Sequence, residues 1–166
     1  MILATDTHYP EQGARTAGIL FRAWSDAAPA STLLVESDTV ADYEPGSFYK
    51  RELPLIMKLL KTLSAPPEVI VIDGYVTLDE AGRKGLGSHL YDSLGGEVQV
   101  IGVAKNTFKG SPHAVALLRG ESLRPLYVTA AGLDKEEAAA CIKAMHGEHR
   151  RPTLLMQVDG LCRRGE

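Results

Sequence analysis

The chain has 166 residues, of which 45% are hydrophobic, 6% aromatic and 23% charged, a balance that excludes disordered, fibrous and membrane-spanning classes and lets a sheet with helices bury its own core. Eighteen Lys and Arg against twenty-one Asp and Glu give a formal charge of -3, which excludes a protein that coats nucleic acid by bulk charge but leaves room for local basic sites. The only cysteines, Cys141 and Cys162, lack the spacing of a zinc site or a disulfide framework, so a reducing, cytoplasmic setting is expected.

Residues 1–5 form a short apolar run with Asp6 directly behind it, unlike a leader peptide. Segments 16–24 (TAGILFRAW) and 31–37 (STLLVES) also read as strands, and three in succession predict an antiparallel meander. Gly46 and Ser47 open a helical pattern that places Phe48, Leu55, Ile56, Leu59, Leu60 and Leu63 on one face, with Pro54 predicted to kink it. Residues 68–73 (EVIVID) are almost continuously aliphatic, as in a strand covered on both faces. A helix is expected over 85–94, strands over 98–104, 113–118 and 126–129, and an alanine-rich helix over 134–145. Residues 1–166 read as one α/β domain whose mixed sheet starts antiparallel and continues through parallel crossovers, with helices on both faces.

Asp6 ends the first strand, Glu52 lies on the first helix and Asp73 ends the EVIVID strand. If those strands are parallel neighbours, the two aspartates meet at their carboxyl ends with Glu52 above them. Three crowded carboxylates call for a divalent cation, and hard oxygen donors favour Mg²⁺ or Mn²⁺. The plainer reading is that Asp6 and Asp73 are turn residues and Glu52 sits on a solvated helix face.

The surrounding residues resemble the endonuclease V family. In order they are ATDTHY with Asp6, DYEPGSFYKRE with Tyr43, Pro45, Gly46 and Glu52, VIVIDGY with Asp73 and Gly74, GLGSHL with Ser88 and His89, VIGVAKNTF with Lys105, and RPLYV at residues 124–128. The resemblance implies a ribonuclease-H-like fold and metal-dependent hydrolysis of a phosphodiester 3′ to a deaminated purine, above all inosine, in DNA or RNA. It implies that Asp6, Asp73 and Glu52 hold Mg²⁺, which Mn²⁺ can replace, and that Lys105 places a positive charge beside the phosphate. Tyr43 and Pro45 become a wedge that replaces a base lifted from the stack. Gly46, Gly74, Gly85, Leu86 and Phe108 match the family's base pocket, and Ser88 falls with them in the nucleic-acid-binding set.

The chain also departs from the family pattern. Residues 74–84 lack its usual histidine, residues 129–133 lack another, and Glu44 places a charge in an otherwise apolar wedge. Gln157 stands where a fourth acid is expected, which leaves Asp79, Glu80 or Asp159 as candidates. Two other functions compete. Residues 82–94 resemble the acetyl-CoA phosphate loop of N-acetyltransferases, in which helix-start amides cradle phosphate. A protein of this fold could also bind nucleic acid without cutting it. Arg150, Arg151, Arg163 and Arg164 with His146 and His149 read as a solvated basic surface. His8, His89 and His113 read as structural or surface histidines, Trp24 as core, and a monomer as the simplest state.

Overall fold

A computed structural model describes residues 1–40, 42, 47 and 49–165. The strand that carries the N-terminal apolar run, β1 (Ile2–His8), pairs antiparallel with β2 (Ala14–Phe21), which pairs antiparallel with β3 (Ser31–Ser37). These strands form the predicted meander. The chain then crosses through α1 (Tyr49–Leu60) to β4 (Val69–Asp73), and through α2 (Leu86–Ser93) to β5 (Gln99–Ala104). β4 runs parallel to β1 and β5 parallel to β4. Beyond β5 the crossover pattern ends, because β6 (Val115–Leu117) and β7 (Leu126–Ala131) pair antiparallel with each other and β7 antiparallel with β5. The short loops around them leave no length for a crossover helix. The spatial order is β3-β2-β1-β4-β5-β7-β6 in a seven-stranded mixed sheet, with β4 central as its aliphatic run requires.

Strand periodicity divides the core into two layers. Ile2, Ala4, Ala17, Ile19, Val69, Val71, Ile101 and Val103 face α3 (Lys135–Ala144) and α4 (Thr153–Arg164). Leu3, Ile70, Ile72 and Val100 face α1 and α2, through Leu55, Ile56, Leu59, Leu86 and Leu90. α1 continues through Pro54 to Leu60, with Leu55, Ile56 and Leu59 buried on one stripe. Trp24 packs edge-on against Phe21, 6.0 Å between ring centroids, in the first of these layers.

α4 adds an apolar stripe to the C-terminal segment, whose Arg163 and Arg164, like His146 and His149, are exposed as the solvated-surface reading expects. Leu154, Val158 and Cys162 recur every four residues and are buried against the sheet. Arg163 and Arg164 lie in its last turn, where positive charge suits the helix dipole, and Gly165 ends it at φ 77°. Among the described residues, no helix is long and apolar enough to cross a membrane.

Candidate active site

Register places the acidic groups. Ala4 of β1 lies opposite Val71 of β4, so Asp6 and Asp73, each two residues further on, lie level at the carboxyl edge. Asp73 lies opposite Val103 of β5, and Lys105 follows two residues later on the same side. Its Nζ is 3.8 Å from Asp73 Oδ2. The parallel neighbours thus align two carboxylates and a cation across three strands.

Glu52 reaches this edge from α1. It is only 7% exposed, and its Oε1 accepts a hydrogen bond from the Tyr9 hydroxyl at 3.2 Å. The Arg51 guanidinium lies over the Tyr9 ring at 5.0 Å. Burial, and after it the charge of Asp73, push the Glu52 carboxyl up to about 8, with Asp6 adding to the shift and the Tyr9 hydrogen bond opposing it. Burial and the charges of Asp73 and Asp159 push Asp6 up to about 7, although its Oδ1 accepts the Thr7 amide at 2.8 Å. Glu52 is thus buried and within reach of the aspartates' charges, contrary to the reading that puts it on a solvated helix face. Among the described residues, the group of potential ligand atoms within 4.8 Å of one another is Asp6, Asp159 and Cys162, and it includes neither Asp73 nor Glu52.

A fourth carboxylate, Asp159, thus lies close to Asp6. Residues 157 and 159 are about 200° apart around a helix, so Gln157 points elsewhere while Asp159 shares the inward face with Cys162. Asp159 also pairs with Arg151 at 3.1 Å and Arg163 at 2.8 Å. Burial raises its pKa, but these two cations outweigh burial and hold it below the usual carboxylate value. Asp79 and Glu80 are removed from the site. Asp79 Oδ1 accepts the Arg83 amide at 3.0 Å within a turn, and Glu80 is exposed beside it.

Two cavities flank the Asp73 side chain. The smaller, about 30 Å³, is bounded by Asp6, Asp73, Lys105, Arg151 and Val158, among others. It has room for an ion or one to two waters. The larger, about 340 Å³, is lined by Asp73, Gly74, Gly85, Leu86 and Phe108, together with Tyr49 and Tyr75. Four residues read as base-pocket candidates therefore line one cavity. Ser88 does not line it, because its Oγ donates to the Val76 carbonyl at 2.7 Å and anchors the start of α2. Tyr43, Pro45 and Gly46 lie outside the described residues.

Sequence reasoning missed Tyr49, whose ring stacks on His89 at 3.5 Å and forms part of the cavity wall. It missed Gly102 as well. A Cβ there would meet the Gly74 carbonyl oxygen at 2.6 Å and Thr129 Oγ1 at 2.7 Å. Thr129 Oγ1 in turn accepts the Val76 amide at 2.8 Å, so the 74–76 loop is held directly against β5. Tyr9 was within reach of the sequence, since it closes the same ATDTHY segment as Asp6.

The acetyl-CoA reading of residues 82–94 fails on backbone geometry. The amides of Gly85 and Ser88 donate to the Val76 carbonyl, and that of Gly87 to the Tyr75 carbonyl. Cβ atoms at positions 85 and 87 would strike the same backbone. These glycines let the helix start press on the loop, and its amides are not free to cradle a pyrophosphate.

The fold and site define an α/β protein with a seven-stranded mixed sheet, consistent with a ribonuclease-H-like fold, and with acidic side chains at the carboxyl edge of its central strands. The profile of the family described as Endonuclease V matches residues 1–147, and the chain belongs to that family. It is 30% identical to Endonuclease V of Azotobacter vinelandii over 129 residues, 76% of this chain and 57% of the relative. With Endonuclease V of Rhodospirillum centenum it shares 28% identity over 131 residues, 66% of this chain and 53% of the relative. The chain thus spans about half the length of the curated relatives it matches. The crystal structure of Streptomyces avermitilis Endonuclease V superposes with a TM-score of 0.79 at 28% identity, over 99% of this chain and 80% of that one. Ciona intestinalis Endonuclease V, solved with a 23mer DNA containing an inosine followed by a ribo-adenosine, shares the fold with a TM-score of 0.79 at 17% identity, over 99% and 84% of the two chains.

Proposed function

We propose that the chain is a divalent-metal-dependent endonuclease that hydrolyses a phosphodiester 3′ to a deaminated purine, inosine above all, in DNA or RNA. The observation that carries this reading is the pair of strand-end carboxylates, Asp6 and Asp73, which line an ion-sized cavity together with Lys105, with Asp159 close to Asp6 and the buried Glu52 within the influence of both aspartates. The donor set fits Mg²⁺ or Mn²⁺: the oxygens are hard, and two of the carboxyl groups are buried with like charges that a cation would offset. Asp6, Asp73 and Glu52 would hold the ion, with Asp159 beside Asp6. A bound ion of this kind withdraws charge from a phosphate and lowers the pKa of an attacking water.

The remaining steps belong to the protein's own groups. Tyr9 fixes the Glu52 carboxylate by donating to Oε1. Lys105, beside Asp73, meets the negative charge that grows on the phosphate oxygens. The cavity formed by Gly74, Gly85, Leu86, Phe108 and Tyr49 accepts the lifted base, and its 340 Å³ suits a purine. Tyr43 and Pro45, followed by Gly46, would fill the gap in the stack.

Single-stranded inosine-containing DNA and RNA oligonucleotides, incubated with and without Mg²⁺ or Mn²⁺, test the reading. We expect one cut product that needs both the metal and the inosine. Asp73→Asn is expected to reduce cutting roughly 100-fold or more while leaving the circular dichroism spectrum unchanged. Full activity of that variant would refute the metal site, and affinity without metal-dependent turnover would support a protein that only binds.

A further inference from the structure

Basic side chains are distributed unevenly around the acidic edge. Lys105, Thr107, Leu123, Arg124, Tyr127 and Arg150 border a second open groove of about 260 Å³. It shares Lys105 with the ion-sized cavity and Thr107 with the aromatic one, so segment 105–108 forms a ridge with a cavity on either side. Lys105 pairs with Asp73, but the two arginines of this groove have no acidic partner among the described residues. The Arg150 guanidinium donates to the carbonyl oxygens of Lys105, Arg124 and Pro125, which fix its position without cancelling its charge. Arg124 is exposed and has no ion pair among the described residues. Arg151 and Arg163, by contrast, are taken up by Asp159. Leu123, 91% exposed, stands at the rim as the most exposed large apolar side chain described.

A fixed guanidinium, a free one and an apolar knob side by side match the alternating chemistry of a single nucleic-acid strand, whose phosphates need cations and whose base faces need apolar contact. We propose that this groove binds the strand on the 3′ side of the cut, with Arg124 and Arg150 on its phosphates and Leu123 against a base. The inference rests on the nuclease reading, which places the purine across the ridge, so the strand continuing past Lys105 meets this groove next.

The test is fluorescence anisotropy with 5′-labelled inosine-containing single-stranded DNA whose 3′ arm is short, about two nucleotides, or long, about eight, in Ca²⁺ at several KCl concentrations. Wild-type protein is expected to bind the long arm roughly tenfold more tightly. Arg124→Ala and Arg124→Glu alter a side chain without partners, so folding is preserved. Each should remove roughly 3–10-fold of the long-arm affinity, lower its salt slope by about one phosphate, and leave short-arm binding unchanged. Leu123→Ala should reduce long-arm affinity with no change in salt slope. Equal loss on both arms, or none, overturns the groove while leaving the nuclease reading intact, whereas wild-type protein that binds neither arm overturns both. Preference for a polyglutamate peptide of matching charge over the long-arm DNA would assign the groove to a protein partner and overturn the proposal.

Discussion

Asp6 and Glu52 are carboxyl groups, 9% and 7% exposed, placed where ionisation is costly without a cation. Their pKa values rise from 3.8 to about 7 and from 4.5 to about 8. Between about pH 4 and 8 the native state therefore holds more protons than the unfolded chain, and these two groups make stability fall as pH rises through that window. Asp6→Asn cannot ionise there and keeps an oxygen for the Thr7 amide. In metal-free protein it should raise stability at pH 8 by about 2 kcal/mol, or about 4–8 °C in Tm, with little gain at pH 4. Thermal scans in EDTA across that range check this, and a gain independent of pH would contradict it. Added Mg²⁺ should narrow the difference by stabilising the wild type alone. The positions of these acids were legible because strand ends and a helical stripe can be read from apolar periodicity. Their partners were less so: Asp159 joins Asp6 from a helix 153 residues later in the sequence.

At the scale of elements, the parallel triplet β1-β4-β5 was legible because EVIVID and VQVIGVA are continuous aliphatic runs separated by helical patterns. α4 was not, although Leu154, Val158 and Cys162 carry its period. Arginines just before it and in its last turn, with an interior Gly160, obscure its apolar stripe. Long-range packing also hid the function of Gly102, since an apolar strand gives no sign that another loop lies against it. Gly102→Ala puts a methyl group onto the Gly74 carbonyl and Thr129 hydroxyl, and either the strand or the 74–76 loop must move. The expected cost is about 1–3 kcal/mol in urea unfolding. Because Gly74 and Tyr75 also line the larger cavity, selectivity for inosine over guanosine should drop as well. A loss of stability with unchanged selectivity would show that the loop does not shape the base pocket.

Across the whole molecule, the formal charge of -3 conceals a division of labour. Acids from four elements concentrate at one edge of the sheet, with Lys105, Arg124 and Arg150 beside them. A phosphate approaching the metal-free protein meets that acidic centre first, and within a Debye length of about 8–10 Å the repulsion is only partly screened. A divalent cation would reverse the local sign without touching the basic flank. Affinity for inosine-containing single-stranded DNA should therefore rise roughly tenfold or more when EDTA is replaced by Ca²⁺ at constant ionic strength. At pH 8, where Asp6 is mostly ionised in the wild type, the double variant Asp6→Asn, Asp73→Asn removes two of the repelling charges, so in EDTA it should bind more tightly than wild type and respond weakly to Ca²⁺. Anisotropy titrations of both proteins separate this effect from general charge attraction, which would give the wild type the same affinity with and without the cation.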